Sequence, residues 1–272
     1  MAGIVERRKQ IEAEHFDRAA ERVGLSRGLP DRERFSVENI ALNAPYEFAR
    51  KWLAEHCKDK VVLDYACGIG LYSLYPINFG ARKLFGIDIS PKSIEVAKAG
   101  MKAAGFADKT QFEVGDCEAL PYQPETFDLV FSFGNFSYLD LPKAYAEIAR
   151  VLKPGGKFLV VDTLGYNPLL KLNRWIRYKR GQRSAYMKDH IVKMNAVKLG
   201  QRYFRNLEEL RFYDLTTLCA VPFVKSEHTC THAVVSTLKK IDAVLLKLPI
   251  IKYLAFKIVF VFSYPRKAPA IL

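Results

Sequence analysis

The sequence predicts an α/β protein with a doubly wound, seven-stranded, mostly parallel sheet whose last strand is antiparallel. Short apolar segments alternate with amphipathic ones between residues 60 and 163. Four of the apolar segments end in a polar residue, at Asp64, Asp88, Asp116 and Ser132. Strands that alternate with helices form parallel sheets, and such sheets bind ligands at the carboxyl ends of their strands.

The predicted elements follow in chain order. Charged amphipathic residues 5–22 and residues 45–56 are expected to form N-terminal helices, which either cover a ligand or pack against the sheet edge. Strands are predicted near 60–65, 83–88, 110–115, 126–132 and 156–163, and helices near 71–79, 91–104 and 141–151. Pro91 suits the first turn of its helix, with Ser90 as the N-cap. Sixth and seventh strands are predicted at 212–218 and 256–262, with a helix at 234–248 between them.

The turn after the first strand carries the strongest ligand-binding signal. Gly68 and Gly70 allow a close backbone approach, and a helix N-terminus just beyond them favours an anionic group. Asp88, at the tip of the second strand, is placed to accept hydrogen bonds from two ribose hydroxyls. The spacing of Asp64, Ala66, Gly68 and Gly70 differs from the G-x-G-x-x-G pattern of dinucleotide folds.

These residues resemble the D-x-G-x-G signature of class I S-adenosylmethionine-dependent methyltransferases, with Ala66 in the first glycine position. The resemblance extends over residues 60–163 through the segments 112–117, 127–132 and 151–162. It implies S-adenosylmethionine as cofactor, with Asp116 meeting the adenine amino group and the tip at Ser132 facing the methyl donor. The implied cofactor-binding residues are Asp64, Ala66, Cys67, Gly68, Gly70, Asp88, Ile89, Asp116, Cys117 and Ser132.

Composition indicates a single domain over residues 1–272. Its predicted parts are N-terminal helices (1–58), a cofactor-binding core (59–163), a basic cap insertion (164–205) and a C-terminal part (206–272). Five scattered cysteines without a Cys-x-x-Cys pair favour a reducing cytoplasm. Neither a signal peptide nor a membrane span is expected, because the N-terminus lacks an apolar segment and lysines interrupt residues 233–264.

The basic cap carries most of the net charge of +13. Residues 164–205 contain eleven Lys or Arg residues, opposed by Asp189 alone. A pocket for an anionic small-molecule acceptor is the first interpretation. Contact with anionic lipid headgroups at the inner membrane surface is the second. Nucleic-acid binding is ranked third, and a solvated face without a partner also stays open; no obligate protein partner is evident.

Candidate catalytic residues lie at and beyond the fifth strand. A hydroxyl acceptor needs a general base, and His190 in the cap is ranked first. Asp162 and Tyr166 border the strand tip, where they are expected to orient the acceptor. The segment 228–232 holds two histidines and a cysteine but lacks a fourth ligand at usual spacing, so no metal is predicted.

The sequence therefore predicts a cytoplasmic methyltransferase that acts on a small anionic or glycan- or lipid-linked acceptor, at oxygen. The main alternative is methylation of an isoprenoid, quinone or phospholipid headgroup at the membrane surface. A nucleotide-binding module without catalysis is the rival from another class.

Overall fold

A computed structural model describes residues 2–24, 42–180, 190–218 and 229–266. Seven strands form one sheet in the order β3-β2-β1-β4-β5-β7-β6. Strands β1 to β5 run parallel, and β7 lies antiparallel between β5 and β6. The predicted fold class is confirmed.

The strands are β1 (Val61–Tyr65), β2 (Lys83–Asp88), β3 (Thr110–Val114), β4 (Phe127–Phe133), β5 (Leu152–Thr163), β6 (Phe204–Tyr213) and β7 (Lys257–Pro265). The helices are α1 (Ala2–Gly24), α2 (Ala44–His56), α3 (Leu74–Asn78), α4 (Pro91–Ala103), α5 (Leu141–Val151), α6 (Pro168–Lys179), α7 (Met194–Tyr203) and α8 (Thr229–Leu245). Short 3₁₀ turns cover Ala107–Lys109, Phe136–Tyr138 and Ile251–Leu254.

The central strands are buried on both faces, as their uninterrupted apolar sequences predict. Strand β7 is fully enclosed from Lys257 to Ser263, and β4 buries most of its residues. One apolar cluster lies on each side of the sheet: Tyr145 and Phe158 belong to one, and Trp52 and Leu159 to the other. This two-sided core fixes the strand tips on which the candidate site is built.

Two predicted boundaries were wrong. The helix expected at 71–79 begins at Leu74, because the chain turns through Gly70 to Ser73 first. The sixth strand lies at Phe204–Tyr213 rather than 212–218, and a helix, α7, occupies the end of the predicted cap. Strand β6 is an edge strand in which all residues but Phe204 are exposed or half-buried, so its apolar signal is weak.

Helix α8, in the region of the helix predicted at 234–248, packs only partly on the domain. Val235 and Asp242 are buried, whereas Ile241, Val244 and Leu248 are exposed. Across the part of the chain that the structure describes, no helix combines the length and apolarity that a membrane crossing requires.

Candidate functional site

The turn after β1 holds three residues in the left-handed region of backbone conformation. The φ angle is 56° at Ala66, 51° at Gly68 and 74° at Gly70. Glycine takes this conformation freely, whereas an alanine there costs about 1–2 kcal/mol. Ala66 therefore has a backbone conformation that favours glycine. The next residue is fixed by its amide, which donates to the Ile87 carbonyl at 2.9 Å.

The Gly68 turn and Asp88 form an open cradle at the tips of β1 and β2. A Cβ on Gly68 would meet no heavy atom within 4 Å. Asp88 accepts hydrogen bonds from the Gly68 amide at 2.8 Å and from the Ser90 amide at 3.0 Å. An ionised carboxylate accepts about four hydrogen bonds, so Asp88 retains capacity for ribose hydroxyls. Burial raises the pKa of Asp88, while these backbone hydrogen bonds oppose the rise.

Asp64 lies behind the cradle rather than in it. Its carboxylate is buried and accepts a hydrogen bond from the Ser73 hydroxyl at 2.5 Å. Burial, reinforced by Asp88, raises the pKa of Asp64 to about 7. We infer that Asp64 shapes the turn from Gly70 to Ser73.

A cavity of about 80 Å³ lies over the strand tips. Six of the predicted cofactor-binding residues line it: Ala66, Gly68, Asp88, Ile89, Asp116 and Cys117. Four do not: Asp64, Cys67, Gly70 and Ser132. Cys67 and Gly70 belong to the turn itself, and the buried Ser132 hydroxyl has no hydrogen-bond partner among the described residues.

Helix α1 covers this cavity. Lys9 pairs with Asp116 at 2.5 Å, and Arg8 pairs with Glu118. Further along the helix, Asp17 accepts a hydrogen bond from the Ser90 hydroxyl at 2.5 Å. Of the two arrangements that the sequence left open for this segment, the structure shows the one in which α1 lies over the ligand-binding tips.

Glu12 enters the same cavity from α1. Burial raises its pKa to about 7, with Arg8 opposing the rise and Glu118 reinforcing it. Phe16 and Tyr138 close the far side with an edge-to-face ring contact whose centroids are 5.1 Å apart.

The residues that line the cavity fit a nucleoside-type ligand, but the cavity is smaller than such a ligand requires. Left-handed glycines and strand-tip carboxylates match ribose hydroxyls and an amino-bearing base. Small-molecule sites enclose roughly 300 Å³ or more, against about 80 Å³ here. We therefore expect helix α1 to move away from Asp116 when such a ligand enters.

A second cluster of side chains lies beside this cavity, over β4 and β5. The rings of Tyr46 and Tyr72 stack in parallel with centroids 5.2 Å apart. Phe133, at the tip of β4, meets both rings edge-on, at 5.9 and 4.9 Å. Tyr72 follows the glycine turn directly, so this aromatic wall adjoins the cradle.

Lys257 lies under the aromatic wall and is 8 % exposed. Its amine donates to the hydroxyls of Tyr46 and Thr163, each at 3.2 Å. Burial lowers the pKa of Lys257, while Asp162 and Asp214 oppose this shift. The Tyr46 hydroxyl also forms a hydrogen bond with Tyr72. The cluster therefore places the Lys257 amine, whose charged form is destabilised by burial, beside two phenol hydroxyls.

Asp162, which the sequence analysis ranks as a candidate for orienting the acceptor, lies close enough to Lys257 for their charges to interact, and backbone amides engage its oxygens. It accepts from the Phe136 amide at 2.9 Å and from the Thr163 amide at 2.6 Å. Burial raises its pKa, and the charge of Lys257 opposes the rise most strongly. Asp162 thus holds the turn after β4 in place against β5.

Asp214, at the end of β6, is the other buried carboxyl of this region. Its Oδ2 atom has no hydrogen-bond partner among the described residues, and Oδ1 accepts from the Thr217 hydroxyl at 3.4 Å. Burial, reinforced by Asp242, raises its pKa to about 7. It lines a cavity of about 360 Å³ between β6 and α8.

The two remaining predicted catalytic residues, Tyr166 and His190, have surroundings that differ from those of Lys257. The Tyr166 hydroxyl accepts from the Met194 amide at 3.2 Å, and its ring packs on Tyr253. His190 is exposed, two residues before Val192, which pairs with Leu164 beyond β5. Of the segment 228–232, His228 lies outside the described residues, and 229–232 begin helix α8.

Several residues that line the cavity were not predicted from the sequence. Glu118 follows Asp116 by two positions, and Asn135, whose amide donates to the Ala66 carbonyl at 2.7 Å, follows β4. Position relative to a strand tip would have found both. Tyr46 and Lys257 are 211 residues apart, and no local pattern joins them.

Comparisons with known proteins agree with this geometry. Residues 62–156 match a family model described as a methyltransferase domain. A Caenorhabditis elegans sterol 4-C-methyltransferase is 38% identical over 44% of this chain and 34% of its own length. A probable chloroplastic tocopherol O-methyltransferase of rice (Oryza sativa subsp. japonica) is 29% identical over 76% of this chain and 58% of its own length.

The chain thus spans between a third and three-fifths of these relatives. Among solved structures, the geranyl diphosphate C-methyltransferase of Streptomyces coelicolor A3(2) superimposes with a TM-score of 0.57 and 14% identity. The alignment covers 80% of this chain and 79% of that one. At this identity the likeness establishes the fold alone.

Proposed function

Because the chain belongs to the class I S-adenosylmethionine-dependent methyltransferase family, we propose that it methylates a phenol-type hydroxyl of a small, lipophilic acceptor. S-adenosylmethionine is the cofactor, and when bound it supplies an electrophilic methyl group. The observation that carries the choice of acceptor is the buried cluster of Tyr46, Thr163 and Lys257 beneath an aromatic wall.

The aromatic wall favours an apolar ring in the acceptor. The rings of Tyr46, Tyr72 and Phe133 pack on one another beside the cradle, and we infer that an aromatic or polyene acceptor would pack against them. The relatives are named for a sterol and for tocopherol, which are both lipids with a ring system. This favours the lipid alternative over the glycan-linked acceptor that the basic cap suggested.

The buried amine favours a hydroxyl that is acidic enough to lose its proton. A phenol has a pKa near 10, close to the ordinary pKa of lysine. Burial lowers the pKa of Lys257, so its neutral amine becomes available to receive a proton from the acceptor, directly or through the Tyr46 hydroxyl. General base catalysis of this kind contributes roughly 10²–10⁴ in rate. Asp162 and Asp214 stabilise the ammonium that results.

The test compares Lys257→Met with Lys153→Met. Lys153 pairs with Asp128 at 2.9 Å where β4 and β5 begin, at the opposite ends of the strands from Lys257's partner Thr163. Lys153→Met therefore controls for the loss of a lysine. We expect Lys257→Met to slow methylation of hydroquinone and chromanol acceptors by at least about a hundredfold. Binding of S-adenosylhomocysteine, measured by calorimetry, should be unchanged in both variants.

Two results would contradict the proposal. One is wild-type turnover with sugar phosphates but none with phenols, which would restore the anionic acceptor. The other is normal turnover of phenols by Lys257→Met, which would remove the amine from the chemistry while leaving the cofactor assignment intact.

A further inference from the structure

An exposed apolar ridge runs over α6, the end of α8 and the 3₁₀ turn at Ile251–Leu254. On α6, Leu169, Leu172 and Trp175 follow one another at three-residue spacing and are each more than half exposed. Residues at this spacing share a helix face. Exposed side chains of this size are ordinary when isolated, but a contiguous group marks an interaction surface.

The next part of the ridge is formed by Ile241 and Val244 on α8 and by Leu248, three residues beyond the end of that helix. Ile241 and Val244 are three residues apart and therefore share a helix face, with exposed fractions of 42 and 66 %, and Leu248 is 45 % exposed. Ile250, the most exposed large apolar residue of the described chain at 81 %, continues the ridge into the 3₁₀ turn.

The two parts of the ridge meet where α6 begins. Asn167, the N-cap of α6, donates to the Leu254 carbonyl at 2.8 Å. The rings of Tyr166 and Tyr253 contact each other just beneath, with centroids 5.9 Å apart. These two contacts bring the start of α6 against the 3₁₀ turn, so we infer that the exposed side chains of the two segments lie side by side.

Positive charge borders the ridge, and among the described residues its own segments contribute no exposed Asp or Glu. Lys171 and Lys179 lie on α6, Lys240 lies on α8 and Lys247 lies just beyond it, and all four are exposed. The sequence has no Asp or Glu in 168–180 or 243–256, and the Asp242 carboxylate is buried under hydrogen bonds from residues 215–217. A cytosolic or periplasmic protein partner would need a matching acidic and apolar face, whereas an anionic bilayer offers both features at once.

We propose that this ridge docks the protein on the surface of an anionic lipid bilayer, with Trp175 and the leucines at the acyl boundary and the lysines among the headgroups. The inner side of α8 lines the cavity of about 360 Å³ next to Asp214. The helix that would touch lipid is therefore also one wall of a cavity. The inference stands apart from the acceptor chemistry, because membrane docking needs neither cofactor nor turnover.

Trp175 provides a direct reading of the docked state. The chain has two tryptophans, and the other, Trp52, is buried in the core at 6 % exposure. When the full-length protein meets vesicles of phosphatidylcholine mixed with phosphatidylglycerol, we expect a blue shift of tryptophan emission and quenching by brominated lipid. Trp175→Phe should abolish both changes, and vesicles of phosphatidylcholine alone should produce little of either.

Co-sedimentation with the same vesicles tests the ridge itself. A triple variant, Leu172→Asp, Val244→Asp and Ile250→Asp, should lower partitioning by roughly tenfold or more, because each side chain loses its apolar insertion. Val114→Asp is the matched control, since Val114 is 51 % exposed on β3, away from the ridge. Replacing Lys171, Lys240 and Lys247 with Gln should lower partitioning about fivefold for each charge removed.

The lysine variant keeps the test valid if the triple variant unfolds, which thermal melting would reveal. Failure of the wild type to partition onto anionic vesicles would overturn the proposal. So would ridge and lysine variants that partition like the wild type. Concentration-dependent self-association that the triple variant abolishes, without vesicle binding, would assign the ridge to a second copy of the chain instead.

Discussion

At the carboxyl ends of the strands, Asp88 and Asp116 differ from Lys257 and Asp214 in how their charge is compensated. Over β1, β2 and β3, the carboxylates are supplied with donors: Asp88 has two backbone amides, and Asp116 has the Lys9 amine. Over β5, β6 and β7, Lys257 faces hydroxyls, and Asp214 keeps one oxygen without a partner among the described residues.

The difference teaches which half is built for binding and which for proton transfer. Donors that already hold a carboxylate in place make a rigid, pre-organised acceptor for ribose and base. A buried group without full compensation has a shifted pKa and changes its protonation state easily. The first half therefore suits a cofactor, and the second suits a reacting hydroxyl.

The largest expected effect comes from neutralising the uncompensated carboxyl with Asp214→Asn. Burial and the neighbouring Asp242 raise the pKa of Asp214 to about 7, against the opposing charges of Lys257 and Lys239 and the Thr217 hydroxyl. An unfolded Asp has a pKa near 3.9. The native state therefore binds more protons between these values, and the free energy of unfolding falls as the pH rises from about 4 to about 7.

Asp214→Asn should therefore be more stable than the wild type at pH 8, by on the order of 3 kcal/mol, and this advantage should shrink toward pH 4. Urea unfolding across this range measures it. Asp128→Asn should show the opposite pH dependence, because burial raises the pKa of Asp128 less than its backbone and Lys153 contacts lower it. Its loss of stability should be present at neutral pH and fade as the pH falls through that lowered pKa. Parallel pH profiles for the two variants would contradict the opposite pKa shifts of Asp214 and Asp128.

The next effect concerns the compensated half. Asp88→Ala should weaken S-adenosylhomocysteine binding by roughly ten- to a hundredfold, the loss of a charge-assisted hydrogen bond of about 1.5–3 kcal/mol. Asp88→Asn keeps one acceptor oxygen and should lose less. Calorimetry distinguishes the two, with Asp214→Asn as the control that should bind normally. Unchanged affinity in Asp88→Ala would remove that carboxylate from the cofactor site.

The same contrast explains what the sequence could predict. Strands β1 to β5 and the cofactor half follow from local patterns, since each acid closes an apolar run and the glycines lie next to it. The cluster around Lys257 joins side chains from α2, β5 and β7. Lys257 is 94 residues from its partner Thr163 and 211 residues from its partner Tyr46. A lysine at the start of an apolar strand resembles an ordinary strand end, so its burial becomes visible only in three dimensions.

The helix at α1 was predicted from the sequence, but its position was left open, because charged side chains make several of its contacts. Lys9 pairs with Asp116 at 2.5 Å and approaches Glu118 at 3.4 Å. If Asp116 receives the adenine amino group, as the family resemblance implies, Lys9 holds the same carboxylate before the cofactor arrives. The ion pair then competes with binding, and α1 has to leave a cavity of about 80 Å³.

Lys9→Met should therefore tighten cofactor binding modestly. Exposed and partly buried ion pairs are worth up to about 1 kcal/mol, so the dissociation constant for S-adenosylhomocysteine should fall by roughly two- to fivefold, mainly through faster association. Stopped-flow binding measures both rates. Lys92→Met is the control, since Lys92 pairs with Glu95 on the exposed side of α4. Weaker binding with faster dissociation would show instead that Lys9 holds the helix closed over the bound cofactor, and that the pair belongs to the liganded state.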